Sequence, residues 1–215
     1  MNQPSIFLFL HKRTAMKKAF LLVFGLLPLL GFAQEQFDEV KVQVFQNELT
    51  TEFADSLKSP LTKEDRLAFH GLDFYAPDAK YFVLADFKRT KKEKPFKMKT
   101  STDRLPTYVK YGELTFVLDG KTCKLNVYQN LELIKRKGYK DHLFLPFSDL
   151  TSGNETYIGG RYIDLRIPKG DKIAIDFNQA YNPYCAYNHN YSCPIVPLEN
   201  DLQVEIKAGV KKFHD

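Results

Sequence analysis

Residues 114–128 read LTFVLDGKTCKLNVY, in which two apolar runs flank the dipeptide Asp119-Gly120. Asp-Gly between two such runs is a strong signal for a two-residue β-hairpin, because both central positions of the favoured turn need positive φ. The flanking residues alternate with a period of two, which turns one side of each strand toward a core. The segment therefore predicts two antiparallel strands, Leu114–Leu118 and Lys121–Tyr128.

Further strands are predicted on both sides of this hairpin. Runs rich in β-branched and aromatic residues occupy 81–87, 143–147, 161–167, 172–177 and 202–206. No helical pattern of ordinary length separates them, which argues against a parallel α/β sheet. We predict a mainly β domain, either an antiparallel β-sandwich or a partly open barrel.

Two helices are predicted before the strands. Residues 37–57 carry one apolar stripe at three- and four-residue steps: Phe37, Val40, Val44, Phe45, Leu49, Phe53 and Leu57. Thr62 followed by Asp65 resembles a capping box and predicts a short second helix over 63–70, which Gly71 would end. We expect this helix pair to pack on the sheet.

The N-terminal region has the three parts of a secretory signal peptide. Lys17-Lys18 precede the apolar run 19–32, and Gly31-Phe32-Ala33 forms a small-x-small cleavage site. The run is shorter than the roughly 20 residues of a membrane span, so we expect no stable membrane insertion after cleavage. We predict a signal peptide over 1–33 with the true start at Met16, a single domain over 34–215, and a periplasmic or secreted location.

The charge of the predicted mature chain is nearly balanced. All four basic residues of 1–33 leave with the signal, so residues 34–215 carry 27 basic and 26 acidic side chains. This balance gives no indication of a nucleic-acid partner. The basic segment 88–99, KRTKKEKPFKMK, is typical of a solvated hairpin tip or a lysine-protected edge strand. Contact with an anionic surface is the alternative.

Three cysteines are too few for a disulfide-built scaffold. In an exported protein, Cys185 and Cys193 are the natural pair, and we predict a disulfide between them. Cys123 lies in a predicted strand and is expected to be a buried free thiol.

Two irregular segments, 148–160 and 178–200, concentrate the candidate site residues. The second segment has five Asn, four Tyr and a single acid, which indicates an ordered loop packed on the sheet. The predicted ligand-binding residues in or beside these loops are Asp149, Glu155, Tyr157, Arg161, Asp176, Asn178, Tyr181 and Asn182. Carboxylates and amides could hold a hard cation or supply a general acid and base. They could equally cap turns, with Arg161 paired to an acid.

No standard enzyme or metal-site motif is present: the sequence lacks HExxH, GxSxG, a Walker loop and CxxC spacing. The first functional hypothesis is therefore a domain that binds a small molecule or a protein through loops 148–160 and 178–200. The alternative is a hydrolase or lyase that uses Asp149, Glu155 or Asp176, with or without a cation. A third hypothesis is a structural envelope protein without a small ligand.

Four runs resemble a known family: SPLTKEDR (59–66), GLDFYAPD (71–78), LPFSDLTSGNETYIGGRY (145–162) and IDFNQAYNPYCAYNHNYSCPIVPLEN (175–200). They are similar to the bacterial and archaeal proteins grouped as domain of unknown function 1684. The resemblance covers nearly the whole predicted mature chain and implies no activity. One departure is Val210, which follows Ala208-Gly209 where the family pattern has an acidic residue.

Overall fold

An antiparallel sheet of seven strands organises residues 35–214, the part of the chain that the computed structural model describes. The strands are β1 Phe82–Arg89, β2 Phe96–Lys97, β3 Thr107–Leu118, β4 Lys121–Asn130, β5 His142–Phe147, β6 Arg161–Arg166 and β7 Lys172–Asp176. Their order is β6-β5-β4-β3-β1-β7, and β2 pairs with β3. The sheet curls into a half-barrel, which confirms the mainly β fold with a partly open barrel. The predicted signal peptide and its start at Met16 lie outside the described residues.

The hairpin between β3 and β4 forms as predicted. Leu118 pairs with Lys121, and the two turn residues adopt positive φ, 51° at Asp119 and 72° at Gly120. An irregularity at Tyr111 shifts the register between Lys110 and Gly112. A bulge of this kind adds one residue to a strand and so reverses which face the following side chains occupy.

The main core covers one face of the sheet. Inward-facing residues of β3, β4 and β5, such as Leu114, Leu125 and Leu145, are fully or almost fully buried there. The C-terminal segment 202–208 packs into the same core through Leu202, Val204, Ile206 and Ala208.

The predicted strand over 202–206 is absent, although its side chains are alternately buried and exposed. Its backbone bonds to loop atoms instead of to a neighbouring strand: the Ile206 N–H donates to Asp149 Oδ2 at 2.7 Å, and Val204 accepts from the Leu150 N–H at 3.0 Å. The alternating burial of these side chains reflects their packing into the half-barrel, without the backbone pairing of a β-strand.

Both helices form and both are shorter than predicted. Helix α1 spans Glu39–Ala54 and helix α2 spans Lys63–Leu67. The first ends at Ala54 because Asp55 is extended and its carboxylate accepts the N–H of Leu57 at 2.9 Å, which turns the chain. The second begins at the Thr62 cap, as predicted. None of the helices within residues 35–214 has the length and apolar character of a membrane span.

The buried face of α1 is offset from the predicted stripe. Val42 and Phe53 are buried, whereas Val40 and Val44 are 68% and 48% exposed. Phe53 packs with Leu61 and Tyr187 in a small cluster separate from the main core.

The basic segment runs along the edge of β3, first as the end of β1 and then as β2. Residues 91–97 are exposed, and β2 within this segment lies at the edge of β3. This is the hairpin tip or edge strand that the composition indicates.

Candidate ligand-binding cleft

Segment 178–200 is ordered and lies along the second face of the sheet. Tyr181 forms an isolated bridge with Tyr162 of β6, and Pro194 forms another with Thr100. The hydroxyl of Tyr162 also donates to the carbonyl of Pro194. The segment therefore lies against the sheet at two separate places along its length.

The predicted loops 148–160 and 178–200 lie next to each other. The Ser148 N–H donates to the carbonyl of Asn200 at 3.1 Å. The Tyr157 hydroxyl lies 3.9 Å from the sulfur of Cys185. The two loops therefore meet, as the prediction of a shared site requires.

Asp149 and Arg161 form a fully buried ion pair with an N–O distance of 3.1 Å. Arg161 also donates to the carbonyls of Ala208 and Ile206, the latter at 2.8 Å. Both oxygens of Asp149 accept hydrogen bonds, one from Arg161 and the other from the Thr151 side chain and the Ile206 N–H. These groups attach the C-terminal segment to the sheet.

The two candidate asparagines are buried and bonded to the folded chain. Asn178 bonds both the N–H and the carbonyl of Asp78, each at 2.9 Å. Asn182 donates to the carbonyl of Lys211 at 3.0 Å and to the hydroxyl of Tyr187 at 3.3 Å. Both amides connect distant segments of backbone.

The remaining candidate carboxylates lie apart from the buried pair. Glu155 is exposed, and Lys207 lies 2.8 Å from it. That ion pair lowers the pKa of Glu155. Asp176 accepts from the side chains of Asn178 and Gln179 at the end of β7. Within residues 35–214, no group of three or more His, Cys, Asp and Glu side chains is arranged to hold a metal ion.

Cys185 and Cys193 are free thiols, in place of the predicted disulfide, and Cys123 is free and buried as predicted. The Cys193 sulfur accepts the N–H of Cys185 at 3.2 Å, so it lies against the backbone instead of at bonding distance from the other sulfur. A hydrogen bond from the Cys193 thiol lowers the pKa of Cys185 to about 6, and the same bond together with burial raises the pKa of Cys193.

A cleft of about 530 Å³ lies between α1, the second face of the sheet and segment 178–200. This volume falls within the range of small-molecule sites, about 300–1,000 Å³. Aromatic side chains dominate its lining: Phe45, Tyr108, Tyr139, Phe144, Tyr162, Tyr181, Tyr184 and Tyr191. The Tyr184 and Tyr191 rings are 5.2 Å apart, and the Phe144 and Tyr162 rings are 4.7 Å apart, both edge to face.

Polar groups of the cleft form two sets. The carboxylate of Asp164 lies 2.9 Å from His142 Nε2, with which it forms a hydrogen bond. It also accepts a hydrogen bond from the hydroxyl of Tyr181. On the α1 side, the Tyr184 hydroxyl donates to Glu52 at 2.9 Å. Burial and the neighbouring carboxylates raise the pKa of Tyr181, and that of Tyr184 to about 12, so both phenols stay protonated near neutral pH.

Of the eight predicted residues, only Tyr181 lines this cleft. A second cavity of about 440 Å³ adjoins it and includes Asp176. The prediction did not include His142, Phe144 or Asp164. Their signal was the alternation of His142 and Phe144 in β5 and of Tyr162 and Asp164 in β6, on the face opposite the core.

The family and the solved structure to which this chain is similar are both described without an activity. The model of the family described as "Protein of unknown function (DUF1684)" matches residues 67–211. A comparison with curated proteins found no match.

One solved structure that resembles the chain is the solution NMR structure of the uncharacterized protein from gene locus rrnAC0354 of Haloarcula marismortui. It is 34% identical, covers 80% of this chain and 93% of its own, and has a TM-score of 0.64. Together with the match over residues 67–211, this similarity shows that the chain belongs to the DUF1684 family.

Proposed function

We propose that this protein is an exported domain that binds a small ligand in the cleft between α1 and segment 178–200. The observation that carries the proposal is the aromatic lining of a cavity of about 530 Å³, to which β3, β5, β6, α1 and the segment all contribute. Aromatic rings with polar tips give contact area and orientation at little cost in conformational entropy, which is why they are frequent in binding sites.

The walls of the cleft are fixed by hydrogen bonds within the protein. The Tyr162 N–H donates to the Tyr181 carbonyl at 2.8 Å, and the reverse bond is 3.0 Å long. The Glu52–Tyr184 bond fixes α1 against the segment. A preformed site avoids part of the ordering cost of binding, which favours affinity for a small molecule.

The test is a thermal-shift screen of purified protein against sugars, amines, phosphates and short peptides. A ligand at about 100 times its dissociation constant should stabilise the protein by about 2.7 kcal/mol. Tyr191→Ala should abolish the shift, because Tyr191 lines the cleft and does not belong to the buried core. Tyr75→Ala is the matched control, since Tyr75 is also half-buried but bonds Glu155 outside the cleft. A ligand that stabilises both variants equally would bind elsewhere and refute the proposed site.

Export is the second part of the proposal and rests on the sequence of residues 1–33. The N-terminus of the protein recovered from the periplasm or medium should be Gln34. A chain found only in the cytoplasm with Met1 or Met16 at its N-terminus would contradict it.

The alternative, a hydrolase or lyase that uses Asp149, Glu155 or Asp176, has less support. Asp149 is 4% exposed and bonded on both oxygens, so a substrate has little access to it. Turnover that disappears in Asp176→Asn, at unchanged stability, would restore this alternative.

A further inference from the structure

The carboxylates around the cleft outnumber the cations. The two adjoining cavities share Phe45, Asp164 and Tyr181 in their linings. Their combined charged lining, apart from His142, consists of Glu35, Asp38, Glu52, Asp164, Asp176 and Lys41. Five carboxylates against one ammonium group give the cleft a negative potential, which attracts cations and repels anions.

The polar groups of the larger cavity are arranged to accept hydrogen bonds. Asp164 is a carboxylate and can only accept, so His142 Nε2 must donate to it. The other nitrogen, Nδ1, is itself buried and has no hydrogen-bond partner within residues 35–214. His142 is 6% exposed and lines the cavity. Asp164 and Glu52, the carboxylates of this cavity, can only accept hydrogen bonds, so they favour a ligand with N–H groups.

The aromatic lining is a third feature that favours a cationic ligand. Ring faces of tyrosine and phenylalanine carry negative potential and attract a cation within about 6 Å. Asp164 is half exposed, with 54% of its side chain accessible beside these rings, and is therefore able to pair with an incoming charge. The nearby guanidinium of Arg104 is already bonded to the Ser192 carbonyl at 2.7 Å.

From these three features we infer that the cleft binds a protonated aliphatic amine, with the ammonium group beside Asp164 and the alkyl chain among the aromatic rings. This inference rests on the proposed ligand-binding function and names the ligand class. A carboxylate or phosphate ligand would be repelled by Glu52 and Asp164, and a neutral polyol would gain no charge–charge attraction from them.

The experiment compares three molecules of the same length and different charge. Isothermal calorimetry on purified protein uses 1,4-diaminobutane, 1,4-butanediol and succinate. We expect the diamine to bind, the diol to bind at least about tenfold more weakly, and succinate not to bind. Asp164→Asn and Glu52→Gln should each weaken diamine binding by about tenfold, which corresponds to about 1.4 kcal/mol.

The matched control is Asp86→Asn, because Asp86 is an exposed carboxylate of β1 that pairs with Lys172 and lies outside both cavities. It should bind the diamine as the unaltered protein does. Equal binding of diamine and diol, or an equal loss in Asp86→Asn, would overturn the inference. Binding of a sugar or peptide that requires Tyr191, with no binding of the diamine, would overturn the amine class and leave the proposed function intact. If no compound of the thermal-shift screen needs Tyr191 in order to stabilise the protein, both the amine inference and the proposed ligand-binding function fail.

Discussion

Arg161 and Asp149 form an ion pair in which neither side chain has any exposed surface. The guanidinium also bonds the carbonyls of Ala208 and Ile206, and the carboxylate accepts the N–H of Ile206. Two strand-end side chains therefore supply the hydrogen bonds that the C-terminal segment would otherwise obtain from a neighbouring strand. The pair explains how an irregular segment can close the core.

Asp149→Asn should be strongly destabilising. It keeps the shape of the side chain but leaves the buried charge of Arg161 without its partner, and such losses cost about 3–5 kcal/mol. Urea denaturation followed by circular dichroism measures the change in the free energy of unfolding.

The control for this variant is Glu155→Gln. Glu155 pairs with Lys207 at the surface, where solvent screening leaves an ion pair little effect on stability. Similar losses in the two variants would contradict a special role for the buried pair.

Cys185 should be the most readily ionised thiol of the protein. The hydrogen bond from Cys193 lowers its pKa to about 6, whereas burial raises the pKa of Cys123 above its ordinary value of 9.0. Because the thiolate is the reactive form, alkylation of Cys185 by iodoacetamide should rise through pH 6 and then level off. Alkylation of Cys123 should still be rising above pH 9.0.

Peptide mass spectrometry after timed alkylation separates the sites. Cys193→Ala removes the donor and should move the Cys185 profile to higher pH. An unchanged profile in that variant would show that Cys193 does not stabilise the thiolate.

Gly160 cannot accept a side chain without distortion. Its φ is +81°, and an added Cβ would lie 2.5 Å from the carbonyl oxygen of Phe147. Gly160→Ala should therefore lower stability by more than about 2 kcal/mol. Gly170→Ala is the control, since nothing lies within 4 Å of a Cβ there, and its effect should stay within about 0.5 kcal/mol. Equal midpoints of thermal unfolding for the two variants would refute the argument.

The sheet could be predicted from the sequence because its signals are local. The Asp119-Gly120 turn and the alternation on either side of it specify the hairpin without reference to the rest of the chain. The segment 202–206 shows the limit of this approach. Its alternation records which side chains are buried, whereas a strand also needs backbone partners, and Asp149 takes that place.

The candidate site was only partly predictable. The tyrosines of 178–200 indicated a binding surface, and Tyr181 lines the cleft. His142 and Asp164 are 22 positions apart and meet because β5 and β6 are paired, which no local pattern reveals. Asp149 and Arg161 looked like site residues because buried structural pairs and functional pairs use the same side chains.

Helix α1 should detach more easily than the sheet unfolds, with consequences for the cleft. One of its two buried side chains is Phe53, which packs edge to face on Tyr187 with ring centroids 4.6 Å apart and belongs to a cluster separate from the main core. Phe53→Ala should remove about 3 kcal/mol or more of packing, most of it local to the helix.

Amide hydrogen exchange distinguishes this loss from global unfolding. Exchange should accelerate across Glu39–Ala54, while β3 and β4 keep their protection. Val40→Ala serves as the control, because Val40 is 68% exposed on the same helix and its loss should change little. Binding in the cleft should weaken only in Phe53→Ala, since α1 carries Phe45, Leu49 and Glu52 of its wall. Uniform acceleration of exchange in β3 and β4 would instead mean that the helix cluster and the sheet unfold as one unit.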